Sequence, residues 1–238
     1  MRTLALSDFR TQLRRRYDAE NQTNRHPDAL LNELANAGYR WLRANVTDWG
    51  FTSFLSQATG NTSASAADTN ENYSSITYPS GATQIHAVDV FDTPEWVRLE
   101  PITLASLRQF EDTADIERAW LVDLSGSVAT TVFTTGRILL TPRARARPYK
   151  VWYLPEWADI STDTHLFLYQ DELWLQMHLY WCISQLCTRD QDDPNREQRA
   201  LFEINPAQAG STAARVRSMA PRVMSGARQV RRSRNYYA

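Results

Sequence analysis

The chain has 238 residues, and its 26 basic and 27 acidic side chains give a formal charge of −1. These charges are unevenly distributed, because seven arginines and no acidic residue follow Glu203, which leaves about −8 on residues 1–203 and +7 on the rest. The 42% share of hydrophobic residues excludes gross disorder, and only eight glycines and one lysine disfavour folds built on glycine-rich phosphate loops. We therefore expect an acidic body with a cationic arm, an asymmetry typical of partner or nucleic-acid contacts.

No segment of the sequence has the pattern of an export signal or a membrane span. The N-terminus has arginines but no apolar run of signal-peptide length, and the most apolar stretch, 173–187, is interrupted by polar residues and too short to cross a bilayer. Cys182 and Cys187 lie five residues apart in a predicted helix, which turns them roughly 140° from each other. We expect a soluble protein with two free, buried thiols, made in a reducing compartment.

The first 75 residues predict two helices and a loop. Ser7 is a candidate N-cap for a helix over residues 8–18, and Pro27 opens a second helix whose apolar face should pair with the first. Residues 57–75 are nearly all small or polar and cannot bury enough surface to offset the entropy of ordering. A mobile loop is expected there.

The middle of the chain changes to the two-residue period of β-strands. Strands are predicted over 76–78, 84–91, 96–100, 118–124, 128–133, 137–141 and 149–154. A short helix near 103–112, capped by Thr103, interrupts them, and Thr135-Gly136 is a candidate hairpin turn. These elements predict an antiparallel sheet or small β-sandwich inserted between helices.

Helical periodicity returns at Asp171 and continues to about Thr188. The helix has apolar residues on both sides, which favours a central helix or one packed against a neighbouring subunit. Its candidate subunit-packing residues are Leu173, Trp174, Met177, Tyr180 and Trp181. A last helix is predicted from Pro194 to about Ile204, capped by Asp192 or Asp193.

The predicted fold class is α+β, a helical bundle of N-terminal and long C-terminal helices with an inserted antiparallel β-sheet or sandwich domain and an extended C-terminal arm. The predicted segments are N-terminal helices 1–56, a Ser/Thr/Asn-rich loop 57–75, a β domain 76–155, C-terminal helices 156–205 and a basic arm 206–238.

Motifs that carry chemistry are not found in the sequence. The four histidines have no partners at zinc-ligand spacing, and neither a nucleophile elbow nor a P-loop occurs. The cluster Asp190, Asp192 and Asp193 has proline where a calcium loop needs its third ligand, so helix capping explains it better. We assign no catalytic residue, no metal and no cofactor, and we expect a protein that is not an enzyme.

A row of arginines lies between Thr141 and Lys150. In a strand, Arg143, Arg145 and Arg147 would alternate with alanines and present three guanidinium groups on one face. One interpretation is a solvated edge strand protected from aggregation by its charges. The other is contact with an acidic protein surface or with phosphates.

The C-terminal arm, 206–238, combines arginines with apolar and aromatic residues. It is either a disordered basic tail or an arm that orders on a partner, since Arg and Tyr often carry binding energy. Val216, Met219, Val223, Met224 and Val230 could form an apolar face, which favours a protein groove over DNA. The candidate contact residues are Arg215, Arg217, Met219, Arg222, Val223, Arg228, Arg231, Arg232, Arg234, Tyr236 and Tyr237.

Several segments follow one another in a recognisable order over residues 5–204. They are DALLNELANAG from Asp28, the strand from Tyr78-Pro79 to Val88-Asp89-Val90, WVRLEPITLASL from Trp96, GRILLTP from Gly136, VWYLP from Val151 and Asp159-Ile-Ser161. Taken in this order, they resemble the head-to-tail adaptor (connector) proteins of tailed bacteriophages. Each pattern alone is weak, and their order and spacing carry the resemblance.

The resemblance implies a bundle with an inserted β domain, assembled as a homo-oligomeric ring of twelve copies in the virion neck, between portal and tail. It implies a portal protein as partner of the C-terminal segment, a downstream tail or nozzle protein, and genomic DNA that passes through the channel without sequence-specific binding. Assembly would occur in the host cytoplasm without a membrane. The 57–75 loop and the arm are longer than the family pattern.

Two other functions are compatible with the sequence. A nucleic-acid-binding protein would use the arm and the row from Arg143 to Arg147 on phosphates, and its affinity would fall steeply with salt. A lytic or cell-wall-cleaving accessory activity has less support, because no carboxylate pair stands out.

Overall fold

A computed structural model describes residues 2–17, 26–62, 74–103, 119–123, 137–141, 147–190 and 194–221. Within these residues the chain forms five α-helices and ten β-strands, which confirms a mixed α+β class. The chain divides into two compact units. Met1–Phe54 and Trp157–Val223 form the helical unit, and Leu55–Glu156 lies in the other, the β unit.

The helical unit contains all five helices and one small sheet. Its helices are α1 (Leu6–Arg16), α2 (Asp28–Asp48), α3 (Glu172–Asp190), α4 (Pro194–Ile204) and α5 (Thr212–Met219). Strands β1 (Arg2–Ala5) and β10 (Leu166–Tyr169) pair antiparallel. The sequence did not predict β1, β10 or α5.

Helix α3 is central in this unit, as one interpretation of its two apolar sides predicted. Ten of its residues are buried, and they belong to the same core as buried residues of α1, α2, α4 and α5. The side chain of Asp171 accepts a hydrogen bond from the Trp174 N–H (3.1 Å) and so caps the helix where the sequence predicted its start.

Helix α1 begins differently from the prediction. Ser7 lies inside the helix, and the N-cap is Ala5, which offers no side-chain cap. Instead, the N–H groups of Leu6 and Ser7 donate to the carbonyls of His165 (3.1 Å) and Asp163 (3.5 Å). Backbone groups about 160 positions away along the sequence thus satisfy donors that a cap residue would otherwise satisfy.

The β unit holds two four-stranded sheets, in the orders β2-β9-β4-β5 and β3-β8-β7-β6. All pairings are antiparallel except β6–β7. The strands are β2 (Ser56–Asn61), β3 (Ser74–Thr77), β4 (Ala82–Asp92), β5 (Glu95–Arg98), β6 (Glu100–Pro101), β7 (Ala119–Asp123), β8 (Arg137–Thr141) and β9 (Pro148–Pro155).

Buried residues from both sheets form one apolar cluster, which includes Val88 and Val90 of β4, Val151 of β9, and Ile138 and Leu140 of β8. The predicted strands over 137–141 and 149–154 are observed with nearly these bounds. The predicted strand over 128–133, the Thr135-Gly136 turn and the helix after Thr103 lie outside the described residues.

The prediction of a loop from residue 57 is wrong for its first part. Residues Ser56–Asn61 form strand β2, which pairs in full register with β9. This strand is polar and lies at the edge of the sheet. Its backbone hydrogen bonds to β9 hold it in place, rather than the burial of its side chains. A Cβ at Gly60 would lie 2.7 Å from the Tyr149 hydroxyl oxygen, so a larger residue there would require the Tyr149 side chain to move.

Candidate functional site

The first part of the predicted arm belongs to the helical core. Ser211 caps α5, with its hydroxyl accepting from the Ala214 N–H (3.0 Å), and Thr212 donates through its N–H and Oγ1 to the Glu203 carboxylate (2.9 and 2.6 Å). Val216 is fully buried in the core that includes α3. The prediction that Val216 contacts a partner is therefore wrong, because its side chain has no exposed surface.

Three other predicted arm residues lie on the outside of α5. Arg215 and Arg217 are exposed, and Met219 is 47% exposed at the last turn. The remaining predicted arm residues follow Pro221 in the sequence and lie outside the described part of the chain. These are Arg222, Val223, Arg228, Arg231, Arg232, Arg234, Tyr236 and Tyr237.

The arginine row is described only at Arg147. Its guanidinium forms an ion pair with Asp92 (3.0 Å) and is only one-fifth exposed. Its backbone N–H also donates to the Thr62 hydroxyl (2.9 Å). Arg147 thus has an acidic partner within the β unit, whereas Arg143 and Arg145 lie outside the described residues.

The candidate subunit-packing residues of α3 divide into two groups. Trp174 and Met177 are fully buried within their own chain, where Trp174 packs against Phe51 and Phe54 (ring centroids 5.1 and 5.4 Å). For these two residues a subunit contact is wrong, because no surface remains for a neighbour. Leu173, Tyr180 and Trp181 remain partly exposed.

His178, in the middle of α3, is fully buried. Its Nε2 donates to the Ala35 carbonyl (2.7 Å), which fixes the tautomer, so its Nδ1 accepts from the Tyr169 hydroxyl (2.8 Å). Complete burial lowers its pKa to about 3, and burial also raises the pKa of the Cys182 thiol. A neutral imidazole with both nitrogens bonded and no exposed surface is part of the core.

The edge strand β5 carries the most exposed aromatic side chain in the described part of the β unit. Trp96 and Val97 are 41% and 40% exposed. Trp96 packs on Phe91 (5.3 Å), and the Lys150 ammonium lies 3.8 Å from the centre of its indole ring, a cation–π contact. Sequence reasoning missed this surface, because neither residue type nor period tells an edge strand from a central one.

A buried carboxylate attaches this strand to the sheet. Asp89 of β4 accepts two hydrogen bonds from Arg98 of β5 (2.8 and 3.2 Å) and a third from Trp152 Nε1 of β9 (2.7 Å). The contact with Asp89 raises the pKa of the Arg98 guanidinium. The bidentate geometry fixes the register of β5 and therefore the position of the exposed Trp96.

Helix α4 presents a second exposed apolar surface. Leu201 and Phe202 are 47% and 41% exposed, and Ala200 is the only fully buried residue of the helix. Exposed adjacent apolar residues of this size are typical of an interaction surface.

Among the described residues, no group of three or more His, Cys, Asp or Glu side chains lies in a metal-binding arrangement, and none of the helices there is long and apolar enough to cross a membrane. No protein-family model matches the chain, and no curated protein matches it significantly.

Proposed function

We propose that this protein is a structural, non-enzymatic component of a tailed-bacteriophage virion neck. In this role it is a head-to-tail adaptor that binds the portal, extends the DNA channel and forms the platform for tail attachment. The proposal depends on the sequence resemblance, and one structural observation supports it. The helical unit is built from both ends of the chain, and the β unit is inserted between Phe54 and Trp157. The resemblance implies this order.

The finer architecture is proposed in the same terms. The five helices of the described residues form a bundle around α3, supported by its burial in a common core with the other four. The two sheets of the β unit form a sandwich, supported by the apolar cluster to which both contribute.

Assembly is proposed as a closed ring of twelve copies, in which each subunit contacts two neighbours through different surfaces. With Trp174 and Met177 assigned to the core, the exposed Leu201 and Phe202 of α4 and the partly exposed Leu173 and Trp181 of α3 are the proposed contacts. Their size and exposure support this choice.

The portal-binding segment is proposed to begin after Pro221. It contains five of the seven C-terminal arginines and both terminal tyrosines, a composition that favours docking on a protein. Arg215, Arg217 and Met219 would extend the contact along the outside of α5. The second partner, the downstream tail protein, is proposed to bind the aromatic surface of β5.

A truncation tests the portal contact. Deleting residues 222–238 should leave the thermal unfolding midpoint nearly unchanged, because all the core residues described in the helical unit lie before residue 222, and it should abolish attachment to purified portal protein of the same phage. The measurement is co-sedimentation with portal rings, followed by negative-stain imaging of the bound material.

Two further variants separate charge from aromatic contact. Replacing the five arginines from Arg222 to Arg234 by Gln removes charge alone, and replacing Tyr236 and Tyr237 by Ala removes the rings alone. Arg189→Gln is the control, because it removes an exposed cation of α3 outside the arm. Attachment by the truncated chain at the strength of the full chain would contradict the proposal.

A further inference from the structure

A cleft of about 510 Å³ lies in the helical unit, between the end of α1, the middle of α3 and the start of α4. Its volume lies within the range of about 300–1,000 Å³ usual for small-ligand sites. Three of its side chains are cationic, and three supply aromatic or apolar surface. They are Arg16, Arg196 and Arg199, and Tyr180, Ile183 and Ala200.

Helical spacing explains how these side chains meet. On α4, Arg196, Arg199 and Ala200 are three and four residues apart and share one face, as Tyr180 and Ile183 do on α3. The acidic residue of this turn of α4, Glu197, accepts a hydrogen bond from Thr188 Oγ1 (2.8 Å). None of the described residues that line the cleft is acidic.

One of the three guanidinium groups is held in place by the protein. Arg196 donates from Nη1 to the Tyr17 carbonyl (3.0 Å), and its guanidinium lies 5.1 Å from the centre of the Tyr17 ring. It is half-buried in the wall of the cleft. A pre-oriented guanidinium loses less entropy when it binds a carboxylate.

The other two cations have no carboxylate partner within the described residues. Arg16 lies over the Tyr180 ring (5.8 Å), and Arg199 is exposed and forms no ion pair or hydrogen bond with another described residue. Guanidinium groups do not lose their charge at any physiological pH. Arg16 and Arg199 are like charges beside one cleft, and a bound anion would offset their repulsion.

The apolar surface of the cleft indicates the chemical class of the anion. Ile183 and Ala200 are buried, so the partly exposed Tyr180 ring is the apolar surface that the cleft offers to a ligand. An inorganic ion would use the guanidinium groups and leave this apolar surface uncovered. A peptide with alternating acidic and apolar side chains would use both.

We infer that this cleft binds an acidic peptide segment of another protein, whose carboxylates pair with Arg16, Arg196 and Arg199 while an apolar side chain covers the Tyr180 ring. The site is separate from the proposed portal contact after Pro221 and does not depend on the neck assignment.

The test uses the full-length protein and defined peptides at low salt, with calorimetric titration as the readout. The peptide Ac-EELEEL-NH2 should bind, and its uncharged counterpart Ac-QQLQQL-NH2 should not. Ac-EEEEEE-NH2 should bind more weakly than Ac-EELEEL-NH2, because it has no apolar side chain to cover the Tyr180 ring. Equal affinity of the two charged peptides would overturn the assignment of the Tyr180 ring.

Variants then locate the site. Arg199→Glu and, separately, Arg16→Gln should each weaken binding of Ac-EELEEL-NH2 about tenfold or more, as expected for loss of a charge-assisted hydrogen bond. Arg189→Glu is the matched control, since Arg189 is exposed on α3 and lies about 180° around the helix from Tyr180. The affinity of the Arg189→Glu variant for Ac-EELEEL-NH2 should stay within about twofold of that of the parent chain.

Two results would overturn the inference. Undiminished binding by Arg199→Glu and Arg16→Gln would place the peptide elsewhere on the protein. Inorganic phosphate that binds as tightly as Ac-EELEEL-NH2 and displaces it would identify the cleft as a site for small oxyanions. Because both substituted side chains are exposed, unchanged circular dichroism should show that the variants remain folded.

Discussion

A single buried residue, His178, can make the stability of the core depend on pH. Its ring contacts the aromatic rings of Tyr169, Tyr39, Phe9 and Phe167, and no charged group of the described residues contributes to its pKa shift. Burial raises the pKa of Tyr39 to about 12 and lowers that of His178 to about 3, so both remain neutral over the physiological range. The cluster thus contains three polar side chains, those of Tyr39, Tyr169 and His178, but it carries no charge.

The stability of the helical unit should fall as the pH drops below 6.5. Between pH 6.5 and 3 the unfolded chain binds a proton at His178 that the folded chain does not, so acid favours unfolding. Because of this residue, the free energy of unfolding at pH 5 should be about 2 kcal/mol lower than at pH 7.5. Chemical denaturation at both pH values should show this difference in the parent chain and much less of it in His178→Gln.

His165→Gln is the control, because His165 is exposed and only its backbone carbonyl serves α1. This variant should keep the full pH dependence of the parent. An unchanged pH dependence in His178→Gln would mean that other groups cause the acid sensitivity.

Gly38 shows the same core from the side of α2. A Cβ at this position would lie 2.7 Å from His178 Cδ2 and 2.9 Å from Trp181 Cε3, so glycine lets α2 approach α3 closely. In an ordinary helix position Gly→Ala stabilises by about 1 kcal/mol. Gly38→Ala should instead destabilise by about 1–3 kcal/mol, because the ring of a hydrogen-bonded histidine would have to move.

Thermal and chemical unfolding measure this effect. Ala37→Gly, at the neighbouring position of the same helix, gives the ordinary propensity change of about 1 kcal/mol as a reference. A gain in stability for Gly38→Ala would show that α2 and α3 are further apart than described.

At the scale of elements, α5 illustrates how tertiary packing changes the interpretation of a segment. The sequence from Thr212 to Met219 is short, weakly amphipathic and rich in arginine. It is ordered by the Ser211 cap, the Glu203 carboxylate and the burial of Val216 against α3. Helices of this length are not stable alone and depend on such contacts.

Val216→Ala should lower the free energy of unfolding by about 2 kcal/mol, since it removes two buried methyl groups and leaves a cavity. Arg217→Ala, one residue along and exposed, should change it by less than about 0.5 kcal/mol. Equal small effects of both substitutions would mean that α5 belongs functionally to the arm and not to the core.

At the scale of the whole molecule, the charge distribution separates the adaptor proposal from nucleic-acid binding. Within the β unit Arg147 is paired with Asp92, and in the helical unit Arg2 pairs with Glu172 and Arg40 with Asp159. The cationic excess is therefore concentrated at the C-terminal end of the sequence, where seven arginines follow Glu203.

The adaptor proposal predicts little affinity for duplex DNA. Fluorescence anisotropy with a labelled 30-base-pair duplex between 50 and 200 mM salt measures it, for the full chain and for the chain without residues 222–238. Five phosphate contacts by the arm would give a slope of about −4.5 in log K against log salt. Tight binding with such a slope, lost on truncation, would favour the nucleic-acid-binding function over the adaptor.

Local patterns determined much of the secondary structure. The period of two residues gave strands over 137–141 and 149–154, and Pro194 correctly marked the start of α4, because side-chain periodicity and capping depend on neighbouring residues. Composition also gave the charge asymmetry of the chain and the burial of both cysteines.

Only the tertiary structure decided the elements that depend on distant partners. The polar strand β2 forms because β9 supplies its hydrogen bonds, and β1 exists because β10 lies beside it. Arg16 joins Arg196 and Arg199 although α4 is encoded far from α1 in the sequence. The sequence shows which side chains a segment carries, but hydrogen bonding, burial and like-charge proximity depend on which segments meet, and that is fixed only when the whole core forms.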